Sequence, residues 1–187
     1  MASGLRVRVL DMTRERSLVA GLRAHAPMEA ERDLDPGADA LEGVKDRLGM
    51  VMAFWHGDAL IATIRLMPSG HGVTLAEKRW ADVTRARRAF GVRSWEVGRL
   101  IVAPEHRSMD LLRTCLALSL QTLLQHTDAR YLHASCSPLL ARLYRWFGFA
   151  TESTVCGETG APHVLIHAPV DDVARALGLA LAQPATA

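Results

Sequence analysis

The stretch SWEVGRLIVAPEHR, Ser94 to Arg107, has the apolar character of a buried strand, yet it carries a glutamate and an arginine three residues apart. Successive side chains of a strand point to opposite faces of the sheet, so regular alternation predicts that Glu96 and Arg99 face opposite ways, with Gly98 between them. A buried unpaired charge is costly, and each of these two therefore needs a partner, a ligand or a hydrated cleft. This stretch is the first candidate for a functional site.

The length and composition of the chain favour an ordinary globular protein. Its 187 residues suit one domain with a sizeable core, and 49% of them are apolar while 22% are charged. We predict a single domain over residues 1–182 and a flexible tail at 183–187. The formal net charge of +2 is too small to indicate a nucleic-acid partner.

The cysteines and the N-terminus favour a cytoplasmic protein. An odd number of cysteines without C-x-x-C spacing argues against a disulfide framework or a zinc site. The first residues carry charges every few positions, which predicts no signal peptide, and no run of about 18 apolar residues predicts a membrane span. His163 and His167, four apart in a predicted strand, would lie about 13 Å apart, so we predict no metal site.

The first half of the chain shows two clear strand patterns. Residues 5–12 alternate apolar and basic side chains and predict a strand, after which Thr13 is a candidate N-cap of a helix to about residue 25. Residues 26–43 are polar and acidic with two prolines, which predicts a long loop or loosely helical segment of the kind that serves as a lid. Residues 50–68 predict a β-hairpin that turns at 56–58.

Strands and helices alternate in the second half. The predicted elements are a strand at 94–103, a helix at 109–127, a strand at 131–136, a helix at 138–149, a pair of strands at 151–156 and 163–168, and a last helix at 170–182. This order predicts an α/β (α+β) fold with a mixed central sheet flanked by helices. No G-x-G-x-x-G follows the first strand and no G-x-x-x-x-G-K-[ST] occurs, which argues against a nucleotide-binding fold.

Two segments resemble the GNAT acyltransferase superfamily over roughly residues 50–155. The strand ending LIVAPEHR resembles the strand that leads into the donor loop of that superfamily, and LYRWFGF resembles the signature in which a tyrosine, here Tyr144, precedes Gly-Phe. Within the superfamily, ATIRLMP followed by WEVGRL is similar to the acyl-homoserine-lactone synthases and their relatives. Those relatives include N-acyl amino acid synthases and ornithine-lipid N-acyltransferases.

The resemblance implies an N-acyltransferase that moves an acyl chain from a carrier-protein or coenzyme A thioester to a primary amine, with no permanently bound cofactor. The matching positions are Arg65, Glu96, Gly98 and Arg99. It implies that Glu96 orients or deprotonates the amine, that Tyr144 protonates the leaving thiolate, and that Arg65 and Arg99 hold a substrate carboxylate or fix Glu96 itself. Gly98 would keep the backbone clear for the ligand. The alternative is that the three charged residues form only structural ion pairs and that Tyr144 is a core aromatic residue.

The donor is expected at the end of the 94–103 strand. Backbone N–H groups near Val102 and Ala103 would polarise the thioester carbonyl, and Arg107 and Ser108 would lie against the donor. The loop here, EHRSMDLL, has no glycine and contains Asp110, which makes close approach of a pyrophosphate harder. This favours an acyl carrier protein over acyl-CoA.

An arginine-rich segment offers a place for such a carrier protein to dock. Acyl carrier proteins are strongly acidic, so we predict that Arg85, Arg87 and Arg88 steer one to the enzyme. A solvated helix face is the alternative interpretation of the same residues.

The acceptor is expected to be an amino acid or an amine side chain on a peptide. Residues 23–36 lack the aromatic side chains that help the lactone synthases to hold S-adenosylmethionine. Two alternatives stay open. One is an acyl-homoserine-lactone synthase that uses S-adenosylmethionine, and the other is a non-catalytic GNAT-like module that binds acyl thioesters.

Overall fold

The computed structural model describes residues 4–26, 28–83, 91 and 93–180. Within them, seven strands form one mixed sheet in the order β1-β2-β3-β4-β5-β7-β6. The strands are β1 Leu5–Val9, β2 Met50–His56, β3 Ala59–Pro68, β4 Ser94–Val102, β5 Tyr131–Cys136, β6 Ala150–Cys156 and β7 Pro162–Pro169. The predicted mixed sheet flanked by helices is confirmed. The domain boundaries at 182 and 183 stay predictions, because residues 181–187 lie outside the described part.

Helices cover both faces of this sheet. They are α1 Arg16–Ala24, α2 Glu29–Leu34, α3 Ala38–Leu48, α4 Leu75–Arg79, α5 Met109–His126, α6 Pro138–Tyr144 and α7 Val170–Leu177, with 3₁₀ turns at Pro104–His106 and Arg145–Phe147. The main core lies between the sheet and α5, α6 and α7, where Leu116, Leu120 and Leu123 of α5 are buried. Smaller apolar clusters hold α1 and α4 against the other face. No helix in the described part combines the length and apolar character needed to cross a bilayer.

In the first half of the chain one prediction is corrected, and the structure decides between two alternatives for another. The N-cap of α1 is Glu15 rather than Thr13, because Asp11 accepts a hydrogen bond from the Thr13 backbone and residues 11–15 form a turn. For residues 26–43 the helical alternative holds rather than the long loop, since they contain α2 and the start of α3. The acidic residues Glu42 and Asp46 of α3 are buried against arginines rather than exposed to water.

A β-bulge interrupts the pairing of β3 with β4. Thr63 pairs with Ile101, but Arg65 pairs with Gly98, so β4 contains one residue more than β3 over this interval. Arg99 lies in the bulge with a φ of 50°, a left-handed conformation that is uncommon outside glycine.

The bulge reverses the alternation of side chains along β4. The predicted arrangement, with Glu96 and Arg99 on opposite faces, is wrong, because both charges point to the face covered by α1, α3 and α4. The apolar residues on either side of the bulge pack against the main core on the other face: Trp95, Val97, Leu100 and Val102. One extra residue therefore gathers the charges of β4 on one side.

The sheet also opens at its centre. The parallel strands β4 and β5 pair from Ser94 with Tyr131 to Glu96 with His133, and beyond Glu96 they separate. The edge of β4 that follows Glu96 therefore borders a gap, and Glu96 lies at the point where the gap begins.

Candidate active site

A cleft of about 470 Å³ continues the gap between β4 and β5. Leu100 and Val102 of β4 line it on one side, and Leu112 of α5 and Leu143 of α6 line it on the other. Ala26, which follows α1, reaches the cleft from the opposite face of the sheet. The cleft is thus mainly apolar, and it passes from one helical layer to the other through the opening in the sheet.

The backbone of Val102 points into this opening. Ala103 donates its N–H to the carbonyl of Ile61 at 2.8 Å, which makes the neighbouring pair of Val102 with Ala62 a non-hydrogen-bonded pair. The N–H and C=O of Val102 consequently turn away from β3 toward the gap. Val102 can donate to a thioester oxygen there. The prediction for Ala103 is corrected, because its N–H is already used within the sheet.

The start of α5 forms the rim of the cleft. Arg107 and Ser108 both line it, as predicted, and Arg107 donates from Nε to the carbonyl of Val102 at 3.3 Å. Ser108 is the N-cap of α5, and its hydroxyl accepts a hydrogen bond from the N–H of Leu111 at 3.1 Å. Asp110 adds a negative charge to the first turn. Both features disfavour an anion at this helix terminus.

Tyr144 borders the same cleft at the end of α6. Its ring packs against Phe147 and Phe149, with centroids 6.4 Å and 5.9 Å away. Burial, and after it the thiol of Cys136, raises the pKa of Tyr144 to about 12. The phenol therefore keeps its proton at neutral pH and is available as a donor.

Glu96 is buried where the gap begins. It is 5% exposed, and its carboxylate accepts the N–H of Ala76 at the start of α4 at 3.3 Å. Burial raises its pKa, against the opposing effects of the Lys45 charge, the hydrogen bond from Ala76 and the Arg65 charge. A buried carboxyl group with a raised pKa is typical of a general base.

Open space lies beside Gly98, on the same face as Glu96. A Cβ atom built at Gly98 would meet no atom of the described residues within 4 Å. The residue is half-exposed, so this space reaches the surface. An acceptor could therefore approach the Glu96 carboxylate along this side of the strand.

Arg65 does not have the surroundings expected of a carboxylate-binding residue. It is 3% exposed and donates to Glu42 at 2.7 Å and to Asp46 at 3.1 Å. Its charge is already compensated, so the prediction that Arg65 binds a substrate carboxylate is corrected.

Arg99 is likewise engaged by its own protein. It donates to the backbone carbonyl of Ala26 at 2.9 Å and lies 3.2 Å from Glu42 and 3.6 Å from Glu31. Because Ala26 lines the cleft, Arg99 fixes the segment after α1 at the cleft wall. This positions a wall of the site, which is a different role from the predicted one of binding substrate.

The sequence did not predict the ion cluster that surrounds these arginines. Arg23 of α1 makes a two-pronged contact with Asp46, at 2.6 Å and 2.9 Å, and lies 3.2 Å from Glu42. Burial alone would raise the pKa of Asp46, but the Arg23 and Arg65 contacts outweigh it and the net shift is downward. We call Arg23, Glu42, Asp46, Arg65 and Arg99 the ion cluster. The only signal for it was that Glu42 and Asp46 are four residues apart in a segment not recognised as helical.

The predicted carrier-protein docking residues Arg85, Arg87 and Arg88 lie outside the described residues. Their role stays a prediction.

The model of the N-acyl amino acid synthase FeeM family matches residues 44–169, more than half of the chain. The chain belongs to this family. Membership makes it an N-acyltransferase of the GNAT superfamily, as the LIVAPEHR and LYRWFGF segments predicted. A search among curated protein sequences finds no significant match.

Solved structures establish the fold independently. FeeM from uncultured soil microbes superposes with a TM-score of 0.69 at 20% identity, covering 91% of this chain and 93% of that one. An N-acetyltransferase described as putative from Lactobacillus plantarum gives 0.64 at 16% identity, covering 90% and 99%. A spermidine N-acetyltransferase chimera that includes Vibrio cholerae SpeG gives 0.59 at 16%, covering 92% and 99%. At these identities the likeness concerns the fold alone.

We expect Asp46→Asn to destabilise the protein strongly. The substitution keeps the shape of the side chain but removes the charge that balances Arg23 and Arg65, and breaking a buried pair of this kind costs about 3–5 kcal/mol. Equilibrium unfolding in urea measures the change. The matched control is Asp39→Asn, which removes an exposed ion pair with Arg32 and should leave the unfolding free energy near that of the wild type. Equal effects of the two substitutions would contradict the structural importance of the ion cluster.

We expect Gly98→Val to reduce activity without loss of stability. A side chain at this position meets no described atom, so folding should tolerate it, but it would occupy the space through which the acceptor reaches Glu96. The predicted result is a fall of about tenfold or more in kcat/KM with an unchanged melting temperature. Gly21→Ala on α1, where a Cβ also meets nothing within 4 Å, is the control and should keep full activity. Wild-type kinetics for the valine variant would show that the acceptor does not pass Gly98.

Proposed function

We propose that this N-acyltransferase moves an acyl chain from an acyl carrier protein to the amine of an amino acid, or of an amine side chain on a peptide. Two observations carry the proposal: an apolar cleft lined by β4, α5 and α6, and a buried carboxylate, Glu96, at the point of β4 where the pairing with β5 ends. The cleft suits a pantetheine arm and its acyl chain, and the space at Gly98 gives an amine access to Glu96 from the other side.

The proposed reaction begins with the amine beside Glu96. The carboxylate accepts a proton from the amine directly or through one water, and the freed lone pair attacks the thioester carbonyl carbon. The C–N bond forms, and the negative charge on the carbonyl oxygen is stabilised by the Val102 N–H. When the intermediate collapses, the C–S bond breaks and the thiolate takes a proton from Tyr144. The extra proton that remains on the nitrogen restores the phenol, and Glu96 releases its proton to water. The products are an amide and a free pantetheine thiol.

The start of α5 supports a carrier-protein donor. Coenzyme A would place its pyrophosphate near this helix terminus, where Ser108 already occupies one N–H group and Asp110 adds a negative charge. Phosphopantetheine on a carrier protein has no nucleotide, so its phosphate stays with the carrier rather than entering the cleft. The absence of glycine in EHRSMDLL also favours a carrier-protein donor, because it makes close approach of a pyrophosphate to the backbone harder.

The outer surface of α6 supports the same donor. Leu139 and Trp146 are 74% and 80% exposed, and Arg142 and Arg145 lie beside them at the surface. Neither arginine forms an ion pair with a carboxylate of the described residues. Because α6 also lines the cleft through Leu140 and Leu143, an acidic carrier protein bound here could insert its arm directly. This surface joins the predicted patch of Arg85, Arg87 and Arg88 as a proposed docking site.

A cytoplasmic setting belongs to the same proposal. The cysteines Cys115, Cys136 and Cys156 are free thiols, as is typical of proteins in a reducing compartment.

The decisive experiment offers the purified protein two donors and two kinds of acceptor, with products identified by mass. We expect N-acyl amino acids from an acyl carrier protein donor and a smaller yield from the matching acyl-CoA. Acyl-homoserine lactone as the main product with S-adenosylmethionine would contradict the proposal and favour a lactone synthase. If no donor and acceptor pair gives product, a non-catalytic thioester-binding module becomes the better explanation.

The same assay tests the docking surface. Arg142→Glu combined with Arg145→Glu should reduce kcat/KM for the carrier-protein donor by about tenfold and leave the acyl-CoA reaction almost unchanged. Arg16→Glu with Arg47→Glu, on the α1–α3 side, is the control for net charge. Equal losses with both donors would show that α6 does not dock the carrier.

We expect Glu96→Gln to lower turnover by about 100-fold or more, because the amide keeps the acceptor for the Ala76 N–H but cannot take a proton. In the wild type, kcat/KM should fall as the pH falls through the pKa of Glu96, because only the ionised carboxylate is a base. Burial raises that pKa, so the loss should begin at a higher pH than for an exposed glutamate. Turnover within about threefold of the wild type would show that Glu96 is structural.

A further inference from the structure

Lys45 is a buried lysine that makes no ion pair within the described part of the chain. It lies on α3 and is 1% exposed, yet its ammonium group forms no ion pair with any carboxylate of the described residues. Leaving a charge buried and unpaired is costly, so such a group usually marks a place where another charge is expected.

Arg23, Arg65, Arg99 and Lys78 each form an ion pair with a carboxylate. Arg23, Arg65 and Arg99 share Glu42 and Asp46 within the ion cluster, and Lys78, the other lysine in the chain, lies 2.8 Å from Asp35. Lys45 occupies the same buried side of α3 as Glu42 and Asp46 but takes no part in those contacts. It is therefore the cation near Glu96 that could receive a charge from outside.

The charges of Lys45 and Glu96 influence one another although the two groups form no ion pair. The charged groups that act on Lys45 are Glu96 first, then Arg65, Glu31 and Asp35, and Lys45 is in turn the foremost charged group acting on Glu96. The two side chains make no contact within the 4.0 Å that defines an ion pair. A small zwitterion carries an ammonium and a carboxylate, the two charges that would pair with Glu96 and Lys45.

We propose that Lys45 binds the carboxylate of the amino acid acceptor while Glu96 receives its amine. This assignment rests on the proposed N-acyltransfer to amino acids and names the residue that would select them over simple amines. The open space beside Gly98 lies on the same face and gives the acceptor room. The long, flexible lysine stem lets the ammonium adjust to a carboxylate, and the bound pair would compensate both charges at once.

The direction of the pKa shifts agrees with this arrangement. Burial lowers the pKa of Lys45, and the nearby Glu96 opposes that effect. Burial raises the pKa of Glu96, which Lys45 opposes in turn. An acceptor carboxylate next to Lys45 would favour its charged form, and an ammonium next to Glu96 would favour the carboxylate.

The test compares amino acids with their carboxamides, which keep the amine and side chain but lose the negative charge. The wild type should prefer the acid to its amide by about tenfold or more, as expected for a hydrogen bond between charged groups. Lys45→Met, which preserves the apolar stem, should abolish this preference mainly by raising KM for the acid, and Lys45→Arg should restore part of it. Lys78→Met is the control and should keep the wild-type preference.

A binding measurement keeps the inference testable without turnover. With lysine labelled by ¹³C at Cε, the chain gives two lysine signals, from Lys45 and Lys78. Titration with each of the twenty common L-amino acids should shift the Lys45 signal for at least one of them, while its carboxamide should leave the signal in place. If the wild type acylates amides as well as acids, or no amino acid moves the Lys45 signal, the assignment is overturned. Active acylation with an unchanged acid preference in Lys45→Met would overturn it while leaving the proposed N-acyltransferase function intact.

Discussion

The β-bulge at Arg99 and Leu100 is the constraint on which the arrangement of the site depends. A non-glycine residue with a positive φ costs on the order of 1–3 kcal/mol, so the surroundings must hold it in place. Here the Arg99 side chain does so through the carbonyl of Ala26 and the carboxylate of Glu42. Without the extra residue, Arg99 would point into the apolar core under α5, and Leu100 and Val102 would leave the cleft wall for the face of α1.

Charge balance explains why the face opposite α5 can bury so many ionisable groups. Glu42 and Asp46 on one side of α3 each contact two or more arginines from α1, β3 and β4. Three elements are thereby tied to one helix by interactions that are strong only when all partners are present. Glu96 and Lys45 lie at the edge of this cluster and form no ion pair with each other. A substrate that carries both an ammonium and a carboxylate could pair with the two of them.

The sequence was informative where the structure is determined locally. The 50–68 hairpin, the 94–103 strand and the 109–127 helix were predicted to within a residue or so, because hydrophobic periodicity and turn residues act over short distances. The bulge could not be predicted, since it is defined by the register of β4 against β3 rather than by β4 itself. For residues 26–43 the sequence left a loop and a helical segment open for a related reason, because the buried acidic residue Glu42 is neutralised by arginines that are distant in sequence.

The same distinction applies to the site residues. Sequence patterns placed Val102, Arg107, Ser108 and Tyr144 around one cleft, and Glu96 and Gly98 on the strand that borders it, because these positions follow from two motifs and one strand. The roles of Arg65 and Arg99 depended on which carboxylates lie against them, and Glu42 and Asp46 come from a helix that the pattern had not predicted. Lys45 carried no signal at all, since a lysine in a polar segment is normally exposed.

The opening in the sheet is what allows one site to serve two substrates. In a continuous sheet the backbone of β4 would be hydrogen-bonded on both edges, and no N–H group would be free to stabilise an oxyanion. Separation of β4 from β5 after Glu96 frees the Val102 N–H and leaves a passage between the two helical layers. In the proposed reaction the thioester enters from the apolar side under α5 and α6, and the charged acceptor enters from the side of α3. The reacting carbonyl then lies in the plane of the sheet. The apolar acyl chain stays on the side of α5 and α6 and the zwitterion stays on the side of α3, so neither substrate has to enter the surroundings of the other.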